Sequence, residues 1–266
     1  MSSLHPAAAG LDYFADIAKH SAALAEAAES NLSAQIEHCP GWTVADLVAH
    51  VWQVHWFWTT IAEQKLTERP DGLVRPPRPS DQDLIAEFRA GALAMIEVLR
   101  AADPDTTVWT WAPSQRNIGF ISRHQVQEAA VHRWDAEHAA GRACSLDVAG
   151  SVDSIEEFLT VSVSSVTDQP DEPRPDLAGM LVLVASDADA AWTISDAELP
   201  GTVRFERGAA AGRPSIRASP SDLLLWLYRR VALPVDPGAG TAGSPAGAAQ
   251  SAEQLVERFR HLCFTD

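Results

Sequence analysis

Glu128-Ala-Ala-Val-His132-Arg-Trp-Asp135 sets a carboxylate and an imidazole four residues apart. On an α-helix that spacing is about one turn, so the two side chains stand roughly 6 Å apart on one face, within reach of a single metal ion. The residues between them, Ala129, Ala130 and Val131, are small or apolar, unlike a freely solvated face. A helical pair needs a third ligand from elsewhere, and the best candidate is His50 of Leu47-Val-Ala-His50. Upstream of it, Pro40-Gly41-Trp42-Thr43 reads as a helix entry, with Thr43 as N-cap and Asp46 three residues on as a variant capping box. His50 then falls near the middle of a long helix and projects into a bundle core. Two histidines and one carboxylate, with a position left open, make the ligand set of a catalytic rather than a structural zinc site. Spacing alone is not decisive, because Glu-x-x-x-His is also an ordinary solvated pair on many helices.

Two blocks extend this reading. Cys39-Pro-Gly-Trp-Thr-Val-Ala-Asp-Leu-Val-Ala-His50 and Glu128-Ala-Ala-Val-His132-Arg-Trp-Asp135-Ala-Glu-His-Ala-Ala-Gly141 resemble the actinobacterial mycothiol-dependent maleylpyruvate isomerase family, a branch of the DinB-like metal-binding four-helix bundles. The resemblance covers about residues 8 to 232. It implies that His50, Glu128 and His132 bind a divalent metal, taken to be zinc, and that the thiol of mycothiol serves as cosubstrate. In the implied reaction the activated thiol adds to an electrophilic carbon, the former double bond rotates, and expulsion of the thiol restores the alkene; a thiol transferase would stop after the addition. The family's Leu-rich C-terminal helix typically ends in Gly-Arg. Here it ends Leu227-Tyr228-Arg229-Arg230, so Arg230 matches the family arginine while Arg229 replaces the glycine, which leaves the local backbone geometry open. A guanidinium fork at Arg230 suits a substrate carboxylate, although a basic residue in a last helical turn is also favoured by the helix dipole alone.

Composition excludes some classes. Twenty Lys and Arg against 36 Asp and Glu give a formal net charge of −16, which repels a phosphate backbone and leaves no basic stripe to offset it. The partners expected are a small substrate and a low-molecular-weight thiol, not nucleic acid. No apolar run approaches the roughly 20 residues of a membrane span, and the first ten residues lack the features of an export signal, so a cytoplasmic location is expected. Cys39, Cys144 and Cys263 are scattered and odd in number, which fits buried small side chains better than a disulfide framework or a Cys-x-x-Cys clip.

The pattern along the chain predicts an α+β protein with a four-helix bundle over residues 1–150 and a small α+β domain over 151–266. Helices are expected at about 8–30, 43–66, 80–102 (capped by Ser80 with Asp83) and 119–141, the last closed by Gly141. A connecting helix follows at 151–163, then a Pro-rich acidic linker at 168–175. Short β-rich runs come next at 180–185, 191–195, 202–206 and 215–218, and then a helix at 220–231. Residues 234–250 read as a flexible Pro/Gly/Ala/Ser linker. A final helix at 251–262 carries one apolar face, suited to its own domain or to a partner chain.

Other residues compete for a role. His124 and His132 are about 12 Å apart along the helix, too far to share one ion with Glu128 between them. His55 points about 140° from His50 and is read as unrelated to the ion. Asp135 either orients a ligating imidazole or pairs with Arg133. Trp42, Trp52 and Trp56 lie close in sequence to His50 and are candidates for walling a cleft, with core packing the default. Two further functional classes fit the same residues: a metal-dependent hydrolase or lyase working through bound water, and a non-catalytic metal- or ligand-binding protein.

Overall fold

Local capping chemistry sets where the first helices begin. In the computed structural model, which describes residues 10–163, 174–238 and 251–263, Asp12 accepts from the Ala15 N–H at 3.1 Å and opens α1, Tyr13–Ala28. Thr43 and Asp46 form a full capping box at the start of α2, Val44–Gln64: the Asp46 N–H reaches Thr43 Oγ1 at 3.2 Å and the Thr43 N–H reaches Asp46 Oδ2 at 3.0 Å. The Thr43 backbone N–H and hydroxyl hold the Asp46 carboxyl below its usual range. Asn117 caps α4, Ile118–Ala139, and Gly141 ends it in the left-handed region at φ 69°, its N–H returning to the His138 carbonyl. Ser80, by contrast, does not cap the third helix. Its hydroxyl donates to Asp83 at 2.6 Å and its carbonyl accepts from the Asp83 and Leu84 N–H groups, so residues 80–83 form a turn and α3 runs Leu84–Ala101. With the Asp83 carboxylate taken up by Ser80, no side-chain cap remains for that helix.

The chain divides into two compact units, Met1–Leu146 and Asp147–Asp266. In the first, α1 packs on α4 and α3, and α2 on α3 and α4, which makes a four-helix bundle. One core cluster gathers Leu24, Leu47, Val48, Val51, Leu84 and Phe88; a second gathers Ile17, Trp58, Ile61, Met95, Leu99 and Ile121. Each large side chain buried this way contributes about 1.5–3 kcal/mol. α4 is the exception: it buries Ser122, His124, Gln125, Gln127 and Asp135 as well as its apolar residues, and buried polar groups need partners. A helix that carries so much polarity inward marks where the bundle has work other than packing.

The second unit opens with α5, Val148–Phe158, so a boundary at residue 150 would cut a helix. A π-helical turn, Leu159–Val163, continues it. The sheet has the order β3-β2-β1-β4: β1 (Met180–Ala185) is antiparallel to β2 (Ala191–Asp196) and parallel to β4 (Ser215–Ala218), and β2 is antiparallel to β3 (Val203–Arg207). Helix α6, Pro220–Leu227, is capped by Ser219 with Pro220 at its first position, where the missing N–H costs nothing. It ends earlier than the expected range of 220–231. The Arg229 N–H bonds to the Trp226 carbonyl and the Arg230 N–H to the Leu225 carbonyl, with Arg229 at φ 63°; this is a Schellman motif. After it, Asp236 exchanges both backbone hydrogen bonds with Ser215 at 2.8 Å. Residues 239–250, most of the expected linker, and 164–173 lie outside the described residues. The last helix, α7 (Ala252–Leu262), packs in this unit, with Phe259 stacked on Trp226 at 5.9 Å between ring centroids. No helix among the described residues is long and apolar enough to cross a membrane.

Candidate metal centre

His50, seven residues into α2, faces Glu128 and His132 on α4. One ligand atom from each lies within 4.8 Å of the other two. The Glu128 Oε1 atom is 3.3 Å from His50 Nε2 and 3.4 Å from His132 Nε2. A tetrahedral ion with ligands at about 2.0–2.2 Å has ligand-to-ligand edges of roughly 3.3–3.6 Å, so the two edges that run through Glu128 match those of a bound ion. His50 is 34% exposed, against 14% for Glu128 and 12% for His132, which leaves the way in from solvent on the His50 side. Residues 14–137 match the family model described as the mycothiol maleylpyruvate isomerase N-terminal domain. That segment belongs to this family. No curated protein and no solved structure matches the chain, and the second unit lies beyond the matched residues.

Around the three residues, the isomerase-family bundle is built to hold them still. His132 Nδ1 is 3.1 Å from Asp135 Oδ2, and the Asp135 side chain is fully buried. A carboxylate on Nδ1 fixes the tautomer that turns Nε2 toward Glu128. Arg133, the competing partner for Asp135, is engaged elsewhere: its Nε donates to Glu137 at 3.1 Å and its NH1 lies 3.3 Å from His20 Nδ1. Trp42, in the segment leading into α2, sets its ring 5.0 Å from that of His50. Trp52 packs in the core, where a Cβ at Gly91 would meet its Cδ1 at 3.3 Å.

Charge is shared tightly here. Burial alone would raise the Glu128 carboxyl, but the charges and hydrogen bonds of His132 and His50 hold it well below the usual carboxylate range. Burial likewise disfavours a charged His132, yet the Glu128 carboxylate, then Asp135, outweigh it and raise that imidazole to about 9. A group of opposite charges this close needs a cation, whether a proton or a metal ion.

The remaining candidates sit elsewhere. His124 is buried among Trp111 and Phe120, with ring centroids 5.3 and 5.5 Å away, and the Gln127 amide is 3.1 Å from its Nδ1. His55 is fully buried against Phe88 at 5.4 Å. Arg230 belongs to the second unit, where it is buried and donates from NH1 to the Tyr228 carbonyl at 2.8 Å. Burial pushes the Cys144 and Cys263 thiols up to about 12, so neither supplies an activated sulfur. Sequence reasoning passed over the Arg133–Glu137–His20 network, for which Arg133-x-x-x-Glu137 at helical spacing was the available signal.

Proposed function

We propose that the protein is a divalent-metal enzyme, with zinc as the ion, that uses mycothiol as thiol cosubstrate. Its reaction is isomerisation of a small electrophilic, unsaturated, carboxylate-bearing substrate, or transfer of the thiol to it. The observation that carries the metal assignment is the single Glu128 oxygen at 3.3 and 3.4 Å from two imidazole nitrogens; the thiol assignment rests on the family of residues 14–137. A bound ion would supply a Lewis acid that lowers the pKa of a thiol brought beside it, so that anionic sulfur is available at neutral pH. The chain's own residues then have separate tasks. His50, Glu128 and His132 hold the ion, Asp135 keeps Nε2 of His132 aimed at it, and the Trp42 ring limits access beside His50. Glu128 neutralises part of the ion's charge and leaves it Lewis acidic.

The test is metal analysis followed by calorimetric titration with mycothiol. The expected result is one tightly held zinc at this site, thiol binding that disappears when the metal is removed, and turnover that requires the thiol. Turnover without thiol would instead establish the hydrolase or lyase reading. A metal that admits no thiol, in a protein without turnover, would establish a binding protein.

Arg230 is proposed to hold the substrate carboxylate. A charged hydrogen bond of this kind contributes about 1.5–3 kcal/mol, so Arg230→Ala is expected to lower kcat/KM by about ten- to a hundredfold with zinc content and mycothiol affinity unchanged, a loss that persists at temperatures where the variant, which also loses the bond to the Tyr228 carbonyl, is fully folded. Full activity in that variant, or a fall in melting temperature that accounts for the loss, removes Arg230 from substrate binding and leaves it as support for the end of α6.

A further inference from the structure

A second group of metal-ligating side chains lies outside the centre described above. Glu37 and His38 belong to the segment between α1 and α2, and His138 to the last turn of α4. His138 Nε2 is 2.9 Å from Glu37 Oε2, and one ligand atom from each of the three residues lies within 4.8 Å of the others. We propose that Glu37, His38 and His138 form a second divalent-cation site, suited to ions that prefer imidazole, such as Zn²⁺, Ni²⁺ or Cu²⁺.

Three observations carry it. First, the donor set is two imidazoles and one carboxylate, which selects these ions over Mg²⁺ and Ca²⁺, whose ligands are oxygens. Second, the imidazoles are placed in advance. The Trp134 ring, itself buried, stacks on His138 at 4.7 Å with 7° between planes and lies 5.7 Å from His38, while the two imidazoles stand 5.8 Å apart. A buried ring stacked on one imidazole and in contact with the other lowers the rotamer entropy that ligation would cost. Third, both imidazoles address one carboxylate: His138 Nε2 stands 2.9 Å from Glu37 Oε2, and a ring nitrogen of His38 lies within 4.8 Å of a ligand atom of each. A plain ion pair needs only one of them. Closing at most 4.8 Å to a tetrahedral edge of about 3.3–3.6 Å takes no more than about 1.5 Å of movement, available to Glu37 because its side chain is 67% exposed.

The site is separate from the first. His132 and His138 are six residues apart, about 9 Å along the axis of α4. An ion here would fasten the segment before α2 to the end of α4. That segment is already folded on itself, the Ile36 N–H bonding to the Trp42 carbonyl at 2.9 Å, and Trp42 is the residue set against His50. The second ion thus acts as a brace for the residue beside the first site and needs no part in chemistry.

Equilibrium dialysis of the full chain against Zn²⁺ tests the proposal. Two equivalents are expected, the second held more weakly. His138→Ala and the shape-conserving Glu37→Gln should each weaken the second equivalent at least tenfold and leave the first, whereas His132→Ala should remove the first and leave the second. A single equivalent that His132→Ala abolishes, or unchanged binding of two in both His138→Ala and Glu37→Gln, overturns the second site, whereas a single equivalent that survives His132→Ala and is lost in His138→Ala bears out the second site and overturns the first. Because the His132→Ala arm reads the second equivalent by itself, failure of the metal centre at Glu128 and failure of this site give different results.

Discussion

His132→Ala is expected to lose zinc at the Glu128 centre, with affinity falling by more than about a hundredfold, whereas His124→Ala should keep nearly full metal content. Loss of a group that merely supports a ligand costs ten- to a hundredfold in affinity, and His132 is placed as a ligand in its own right, its Nε2 3.4 Å from Glu128 Oε1. Removing it also takes from the buried Asp135 carboxylate the imidazole 3.1 Å away. His124 stands about two turns before His132 on α4, occupied with Gln127 and two aromatic rings. Zinc measured by mass spectrometry on dialysed protein separates the two. Equal loss in both variants would show that the wrong histidine has been assigned to the ion.

The second large effect is acid destabilisation through His55. This imidazole is fully buried, stacked on Phe88, and neither of its ring nitrogens has a hydrogen-bond partner among the described residues. Burial depresses its pKa from 6.5 to about 4, against the pull of the Glu128 charge, which raises it. Between those two values the unfolded chain binds a proton that the folded chain refuses. The His55 contribution is therefore fully present above pH 6.5 and lost as the pH falls toward about 4. Over that window it amounts to about 3 kcal/mol, at 1.4 kcal/mol per pH unit. Urea unfolding at pH 7 and pH 4.5 should show this extra fall in the wild-type protein and not in His55→Phe, which keeps the ring and removes the titration. Parallel pH dependence in the two proteins would mean that His55 is protonated in the folded state as readily as in the unfolded one.

What was legible in the sequence was mostly local. A capping box such as Thr43-x-x-Asp46 is a short-range hydrogen-bond pattern, and it fixes the start of α2 as read. Glu128 and His132 sit one turn apart because helix geometry allows nothing else, and a strand such as β2 shows its alternation in Trp192 and Ile194. The misreadings arose where two local options compete. Ser80 and Asp83 satisfy each other instead of a helix end, and α6 stops at Leu227, short of the helix expected to residue 231, because Arg229 turns left-handed. Long-range pairing was out of reach: nothing near Glu37 or His38 announces His138 a hundred residues later, and no periodicity reports that His55 is buried without a partner.

Arg229 shows what it means to place a long side chain where a glycine is at ease. A non-glycine residue in that conformation costs about 1 kcal/mol, yet the Arg229 guanidinium donates to the Arg260 carbonyl at 3.0 Å, near the end of α7. The strained backbone of one helix end is therefore also the mooring of another helix, whose Phe259 and Arg260 both lie against Trp226. A glycine at 229 would relax the first and untie the second. Its two effects oppose each other in global stability, so the change would surface as fraying of residues 252–262, seen as faster amide exchange in α7 while the unfolding midpoint hardly moves.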